Sequence, residues 1–227
     1  ANDPASCRVA ADAGEALRFE QVLQLENGGL AFSEREVNGA GATVRGFPTQ
    51  DGARAAQLTL AASPATLLAV QGLPLLEHAV DAGIAALCAE GVGVMDKLLA
   101  ITVEYMNTRK QFGVPIASFQ ALRHRIADVK MQLELARSMS YFASLKLGEP
   151  AAQRRRALAQ AKLQLGQSMR FVGQQCIQMH GGIGVTDEYV ASHYFKRLTV
   201  MEMTFGDTLH QLGEVSSRML DTAGVFA

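Results

Sequence analysis

The order of apolar and polar residues changes character near residue 73. Before that point, short runs alternate apolar and polar positions between clusters of Gly, Asn and Asp, which is the pattern of strands and tight turns. Residues 22–25 and 30–32 flank Asn27-Gly28-Gly29 and predict a hairpin; residues 43–45 and 55–60 predict two further strands on either side of Gln50-Asp51-Gly52. The first twenty residues, rich in Ala and Asp, carry no clear assignment. A sheet this thin needs covering by another element.

From residue 73 onward the spacing is helical. A first helix is predicted over 75–107, ending where Gly113 and Pro115 forbid continuation. Ser118 is the predicted N-cap of a second helix that reaches residue 147. Its positions Leu122, Ile126, Val129, Leu133, Ala136, Ser140, Ala143 and Leu147 alternate in fours and threes, a heptad-like seam with one polar member. Gly148-Glu149-Pro150 closes it. A third helix over 151–179 places Leu158, Ala161, Leu165, Met169, Val172, Cys176 and Met179 on one stripe and stops at Gly181-Gly182. A fourth begins between 187 and 191 and runs to about 221, with Gly206 as a candidate interruption. The fold class that follows is mainly α. An antiparallel four-helix bundle over 73–227 is preceded by a small, incomplete β-barrel-like module over 1–72. A bundle face of this length, left unpaired, exposes more apolar surface than monomers tolerate, so an oligomer is expected.

Composition narrows the function classes. Of 227 residues, 48% are hydrophobic and 19% charged, enough for a substantial core. A net charge of -1 leaves no electrostatic footprint for nucleic acid. The one basic run, Arg154-Arg155-Arg156, reads as a solvated helix face. Cys7, Cys88 and Cys176 are widely separated and odd in number, without metal-ligand spacing, and fit a reducing compartment. With no signal peptide and no apolar run near the roughly 18 residues of a membrane span, the chain reads as cytoplasmic.

Two interruptions of the helical pattern carry candidate chemistry. Arg109, Gln111, Phe112 and Gly113 combine a permanent cation, an amide, an aromatic face and a glycine. Such a set can grip a phosphate-bearing planar ligand; it can equally be a helix end whose cations answer the dipole. Gln178, Gly181, Gly182 and Gly184 form a glycine-rich break whose amides can serve an anion, or a plain helix-to-helix turn. His180, at the end of a helix, reads as a cap before it reads as a base.

These residues resemble, in order and approximate spacing, the C-terminal helical domain of the acyl-CoA dehydrogenases. The resemblance rests on Arg109 to Gly113, Phe119-Gln120, Gln178 with Gly181-Gly182-Ile183-Gly184, and Phe205-Gly206-Asp207. Gly46-Phe47-Pro48 and Asp51-Gly52 look like the end of the family's middle β domain. The resemblance implies a bundle that forms the subunit contact and helps hold FAD, whose adenosine diphosphate half is gripped partly by the neighbouring subunit. Arg109, Gln111, Phe112 and Gln120 match one part of that grip; Gln178, Gly181, Gly182 and Gly184 match the other, and Gly206 and Asp207 border the nucleotide. The implied chemistry is α,β-dehydrogenation of an acyl-CoA thioester in fatty acid or sterol degradation, with an electron-transfer acceptor downstream.

The sequence departs from the family where the base stands. Phe205 occupies the usual glutamate position, and Gly83 matches the position that carries the base in other members. Glu202 and Glu90 are the nearby carboxylates, each read first as a helix surface residue. No counterpart of the family's N-terminal helical domain, or of its Gly-Ser-Asp flavin-contacting segment, is found. The leading expectation is a subunit of a homo- or hetero-oligomer (dimer or tetramer), helping a catalytic large subunit to bind FAD across their interface. A chain whose base is Glu202 or Glu90, and a non-catalytic helical scaffold, are the alternatives.

Overall fold

A computed structural model describes residues 18–24, 30–36, 41–62, 66–69 and 72–223, with side chains described within 41–62 and 72–219. Cys7 and the Asn27-Gly28-Gly29 turn lie outside the described residues. The chain divides into two compact units, residues 1–79 and 80–227, so the division falls inside the first helix rather than before it.

In the first unit, β1 (Arg18–Gln24) and β2 (Leu30–Glu36) pair antiparallel as the hairpin pattern predicts, and β1 begins within the stretch left unassigned. A strand with no sequence signal, β5 (Thr66–Ala69), pairs on the other side of β2. The other hairpin joins β3 (Ala42–Pro48) and β4 (Arg54–Leu60). Its turn is closed by Gly52 N–H donating to Thr49 O (3.0 Å) and by the Thr49 hydroxyl bonding the Asp51 carboxylate. Alternation holds on β4, where Ala56 and Leu58 are buried and Gln57 and Thr59 exposed.

The helices are α1 (Leu73–Thr108), α2 (Gln120–Lys146), α3 (Ala151–His180), α4 (Val190–Met203) and α5 (Thr208–Ala223). Among the described residues the mainly α class therefore holds, with the fourth predicted helix broken in two at Thr204–Asp207. α3 is the central member, packed by α2, α4 and α5. Every stripe residue from Leu158 to Met179 is buried, as are Val129, Leu133, Ala136, Ser140 and Ala143 of the α2 seam. α2 and α3 run antiparallel, tied by Gln132–Ser168 (3.0 Å) and Arg125–Gln175 (3.2 Å). The contacts Asp81–Arg154, Gly91–Met169 and Tyr105–His180 climb α1 and α3 together, so these two are parallel.

Ser118 is not the N-cap of α2: it lies in a 3-10 turn (Ile116–Ser118) and its hydroxyl donates to Pro115 O at 2.7 Å, while Phe119 holds the cap position. The basic run is not a solvated face throughout. Arg154 is buried, donating from Nε to Asp81 Oδ2 at 2.6 Å and from a terminal nitrogen to Glu149 O at 3.2 Å. A buried guanidinium needs such a partner, and parallel packing of α1 on α3 supplies one. No described helix is long and apolar enough to cross a membrane, and no group of three potential metal ligands occurs among the described residues.

Candidate functional site

The first candidate motif is a projecting hairpin. Its foot is the end of α1, where Arg109 N–H donates to Tyr105 O (2.8 Å) and the Thr108 hydroxyl bonds back to Glu104 and Tyr105 carbonyls. Lys110 and Gln111 pair with Pro115 and Val114, and Ile116 N–H closes onto Arg109 O at 2.8 Å. Phe112 and Gly113 make the two-residue turn with φ of 53° and 81°, the left-handed pair that matches strand twist. A phenylalanine in that region is uncommon. Its side chain is 92% exposed, meeting only the edge of Phe119 with ring centroids 6.1 Å apart. Arg109 is exposed and its guanidinium has no partner among the described residues. Gln111 folds onto the neighbouring carbonyl of Lys110 (2.9 Å), and Gln120 is exposed at the first turn of α2.

The second motif sits at the end of α3. Gly181, with φ 67° and ψ -144°, occupies backbone space that only glycine enters readily, and its N–H caps α3 on Ile177 and Gln178 carbonyls. Gly184 is buried, where a β-carbon would come within 2.9 Å of His180 Cβ and 3.0 Å of Ile177 O. Gly182 is different. It is exposed, and a β-carbon there would meet nothing within 4 Å, so neither conformation nor packing calls for a glycine. Gln178 is exposed beside it.

Aromatic packing joins the two motifs at one end of the bundle. Tyr105, one turn before Arg109, stacks on His180, immediately before Gly181, with centroids 4.7 Å apart; Tyr189 lies on the same imidazole at 5.1 Å. His180 is 3% exposed, and its Nδ1 is 2.8 Å from Cys176 O. Because a carbonyl only accepts, Nδ1 carries the proton. Burial holds the imidazole below its ordinary pKa, against the opposing pull of that carbonyl bond.

Phe205, Gly206 and Asp207 stand elsewhere. At about 1.5 Å per residue, the run of α3 from Lys162 to His180 sets them roughly 27 Å from the glycine-rich turn. Phe205 (φ 59°) and Gly206 (φ 90°) form the break between α4 and α5. The turn is wired from beneath by Lys162, a fully buried lysine whose ammonium donates to Met201 O (3.2 Å), Glu202 O (2.8 Å) and Gly206 O (3.3 Å). Burial lowers the Lys162 pKa, while Cys88, Glu202 and Asp207 act the other way. Gln211 Nε2 donates to Phe205 O (2.8 Å), and the Asp207 carboxylate caps α5 through His210 N–H at 2.8 Å. Lys162 and the Tyr105–His180–Tyr189 stack were missed from sequence. The available signal was a lysine one turn beyond Leu158, inside an apolar stripe.

The two candidate carboxylates are both engaged: Glu90 is an exposed helix residue as expected, whereas Glu202 is not a surface residue. Glu202 is buried and accepts at Oε1 from the Thr208 hydroxyl (2.6 Å) and N–H (3.0 Å), with Arg170 at 3.6 Å. Glu90 is tied to Arg197 at 2.6 Å. The structure brings Phe205 and Gly83 together: a β-carbon on Gly83 would lie 2.7 Å from Phe205 Cζ. That spot holds hydrocarbon and no proton acceptor.

Known proteins share this sequence pattern and fold. The sequence profile of the acyl-CoA dehydrogenase C-terminal domain matches residues 70–220. The chain is 30% identical over 177 residues to the acyl-CoA dehydrogenase IpdE2 of Mycolicibacterium smegmatis, covering 78% of this chain and 53% of that one. It is also 30% identical over 142 residues to the short-chain specific acyl-CoA dehydrogenase of Megasphaera elsdenii, covering 63% of this chain and 37% of that one. Among solved structures, a variant of the Tcur3481-Tcur3483 steroid ACAD superposes with a TM-score of 0.83 at 25% identity, over 98% of this chain and 62% of that one. The ChsE4-ChsE5 complex of Mycobacterium tuberculosis shares the fold, with a TM-score of 0.82 at 23% identity over 89% of this chain and 55% of that one. The chain thus spans about half, or less, of the length of the curated relatives it matches.

Proposed function

The chain belongs to the acyl-CoA dehydrogenase family, and from that premise we propose that it is the non-basic subunit of a two-component acyl-CoA dehydrogenase. In this reading it helps to hold FAD, the family's cofactor, across a subunit interface and contributes no catalytic base. The observation that carries the proposal is the contrast between two places: Phe205 over Gly83 where a base belongs, and an unengaged cradle at the other end of the bundle.

The residues present fit the nucleotide half of FAD. Gly182 offers backbone with nothing over it, Arg109 a cation with no partner, and Phe112 a ring held clear of its own bundle. Arg109 is suited to pyrophosphate oxygens through its planar fork, and Phe112 to the face of a fused heterocycle. Gln111, Gln120 and Gln178 supply amides around them. An aromatic side chain 92% exposed at a hairpin tip is a poor design for a monomer and a good one for reaching into a neighbouring subunit. Gly206 and Asp207, expected to border the nucleotide, also build their own turn at the other end of the bundle.

When bound, FAD supplies the flavin that accepts a hydride from the β-carbon of an acyl-CoA. In this reading the proton beside the thioester would leave to a carboxylate of the partner chain, Glu90 and Glu202 being engaged with Arg197 and Thr208. Association has its own support on α2. Met131, Leu135 and Leu145, 54%, 45% and 80% exposed, repeat on the side opposite the buried seam and give α2 a second apolar face. A steroid acyl-CoA is the first substrate class to try, because one structural neighbour is a steroid enzyme.

The test is co-expression with a candidate large chain. A yellow complex is expected, with thioester-dependent turnover unchanged in Glu90→Gln and Glu202→Gln. Loss of turnover by two or more orders of magnitude in either, the range for a general base of about 10²–10⁴, would assign this chain its own base. A colourless complex would make it a scaffold.

A further inference from the structure

His180 Nε2 is buried without a hydrogen-bond partner, the one such side-chain atom among the described residues. Its position makes this burial consequential. The imidazole packs in a three-ring cluster with Tyr105 at the foot of the Arg109 hairpin and Tyr189 ahead of α4, which also meet each other at 6.1 Å, and its own Cβ is what Gly184 must pass without a side chain. The ring is thus the joint at which the two halves of the cradle meet.

We propose that His180 is a proton-linked positioning residue: its neutral form holds the hairpin and the glycine-rich turn in one arrangement, and acid releases that arrangement and weakens FAD binding. The inference rests on the cradle being the nucleotide site proposed above. The groups facing the ring offer a second proton no acceptor. From α1 it meets Tyr105, from the segment before α4 it meets Tyr189, and from α3 the Cys176 carbonyl already takes Nδ1–H. Glu104 acts on Tyr189 rather than on the imidazole, and Asp187 is paired with Lys196. Protonated Nε2 would be a buried donor with nothing to receive it.

Two forces compete when the site is loaded. A cation at His180 attracts a bound pyrophosphate, whereas a stranded buried donor opens the stack that shapes the site. The structure favours the second, because the ring is 3% exposed and no carboxylate touches it. The sign follows. Unfolded, the imidazole takes its proton near about 6.5; folded, it takes it lower, so stability is full above that value and is lost as pH falls below it.

The experiment compares the wild-type assembly with His180→Asn, which keeps a donor for the Cys176 carbonyl and does not titrate. Thermal midpoint and FAD dissociation constant are measured from pH 5.0 to 7.5. The wild type is expected to lose midpoint and to bind FAD about threefold or more weakly at the acid end, while the variant is flat in both. Tighter FAD binding in acid, or the same acid dependence in the variant, overturns the proposal. If no assembly takes up FAD, the functional reading fails separately and the midpoint profiles still decide: a slope common to both proteins overturns the joint, and one confined to the wild type supports it. Should the variant not fold, imidazole NMR of the wild type replaces it. A His180 pKa at or above 6.5, or one raised by FAD, overturns the idea, and one depressed further by FAD supports it.

Discussion

The ring of Phe205 stands where a side chain on Gly83 would have to be, its Cζ 2.7 Å from an ideal β-carbon on that residue. In this arrangement the ring fills the space that a side chain on residue 83 would take. A glycine inside a 36-residue helix is locally unfavourable by about 1 kcal/mol relative to alanine, yet here alanine would overlap an aromatic ring. Gly83→Ala is therefore expected to lower stability by about 1–3 kcal/mol despite better helix propensity. The double variant with Phe205→Ala should recover most of that loss in a denaturation cycle. Additive effects of the two substitutions would show that the contact is not what fixes Gly83.

Lys162 is expected to govern the same turn from inside the bundle. Removing its ammonium as Lys162→Met strands three carbonyls that end α4 and shape the turn at Gly206. A loss of about 2–4 kcal/mol in urea unfolding is predicted, beyond the change from hydrophobic packing alone. Amide exchange should rise at Thr204–Asp207 more than at the far end of α3.

The buried pair Arg154–Asp81, with side chains 11% and 6% exposed, should behave unlike the surface pairs. Arg154→Met leaves Asp81 unpaired beneath the bundle and is expected to destabilise by about 3–5 kcal/mol. Breaking Lys130–Glu134, about half exposed on both sides and screened by solvent, should leave stability nearly unchanged. Equal effects at the two sites would contradict the packing of α1 on α3.

Cys88 and Cys176 are free and fully buried, and burial pushes their thiols to about 12 and about 11. Both are predicted to escape alkylation at pH 8 in the folded protein and to react after denaturation, as mapped by peptide mass spectrometry. Rapid modification of either in native protein would mean that the core opens around α3.

How much of this was visible in the chain depends on where the determining contacts lie. The α2 seam and the α3 stripe were legible because local periodicity and burial coincide there. The β1–β2 hairpin and the existence of strands at β3 and β4 followed from alternation between turn residues, whereas the pairing of β3 with β4 was not read and β5 is a short strand whose pairing partner lies far away in sequence. The break between α4 and α5 gave only the signal of Gly206, since the left-handed conformation of Phe205 is imposed by Lys162 and Gln211 from other turns. Arg154 and Glu202 looked like surface charges because the groups that bury them, Asp81 and Thr208, are not their helical neighbours. Arg109, Phe112 and Gly182 were legible for the opposite reason: each is a residue that its own fold does not need.

That last property makes Arg109 the sharpest probe. It is exposed, unpartnered and at the foot of a hairpin, so Arg109→Ala should alter stability by no more than about 0.5 kcal/mol. If it grips FAD by charge-assisted bonds of about 1.5–3 kcal/mol, the same change should weaken retention by roughly ten- to hundredfold. The decisive measurement is the flavin content of the co-expressed assembly carrying wild-type or Arg109→Ala chain, at equal subunit stoichiometry. A flavin-loaded wild-type assembly and an intact but largely flavin-depleted variant are expected; equal flavin content in the two would contradict a grip on FAD by Arg109.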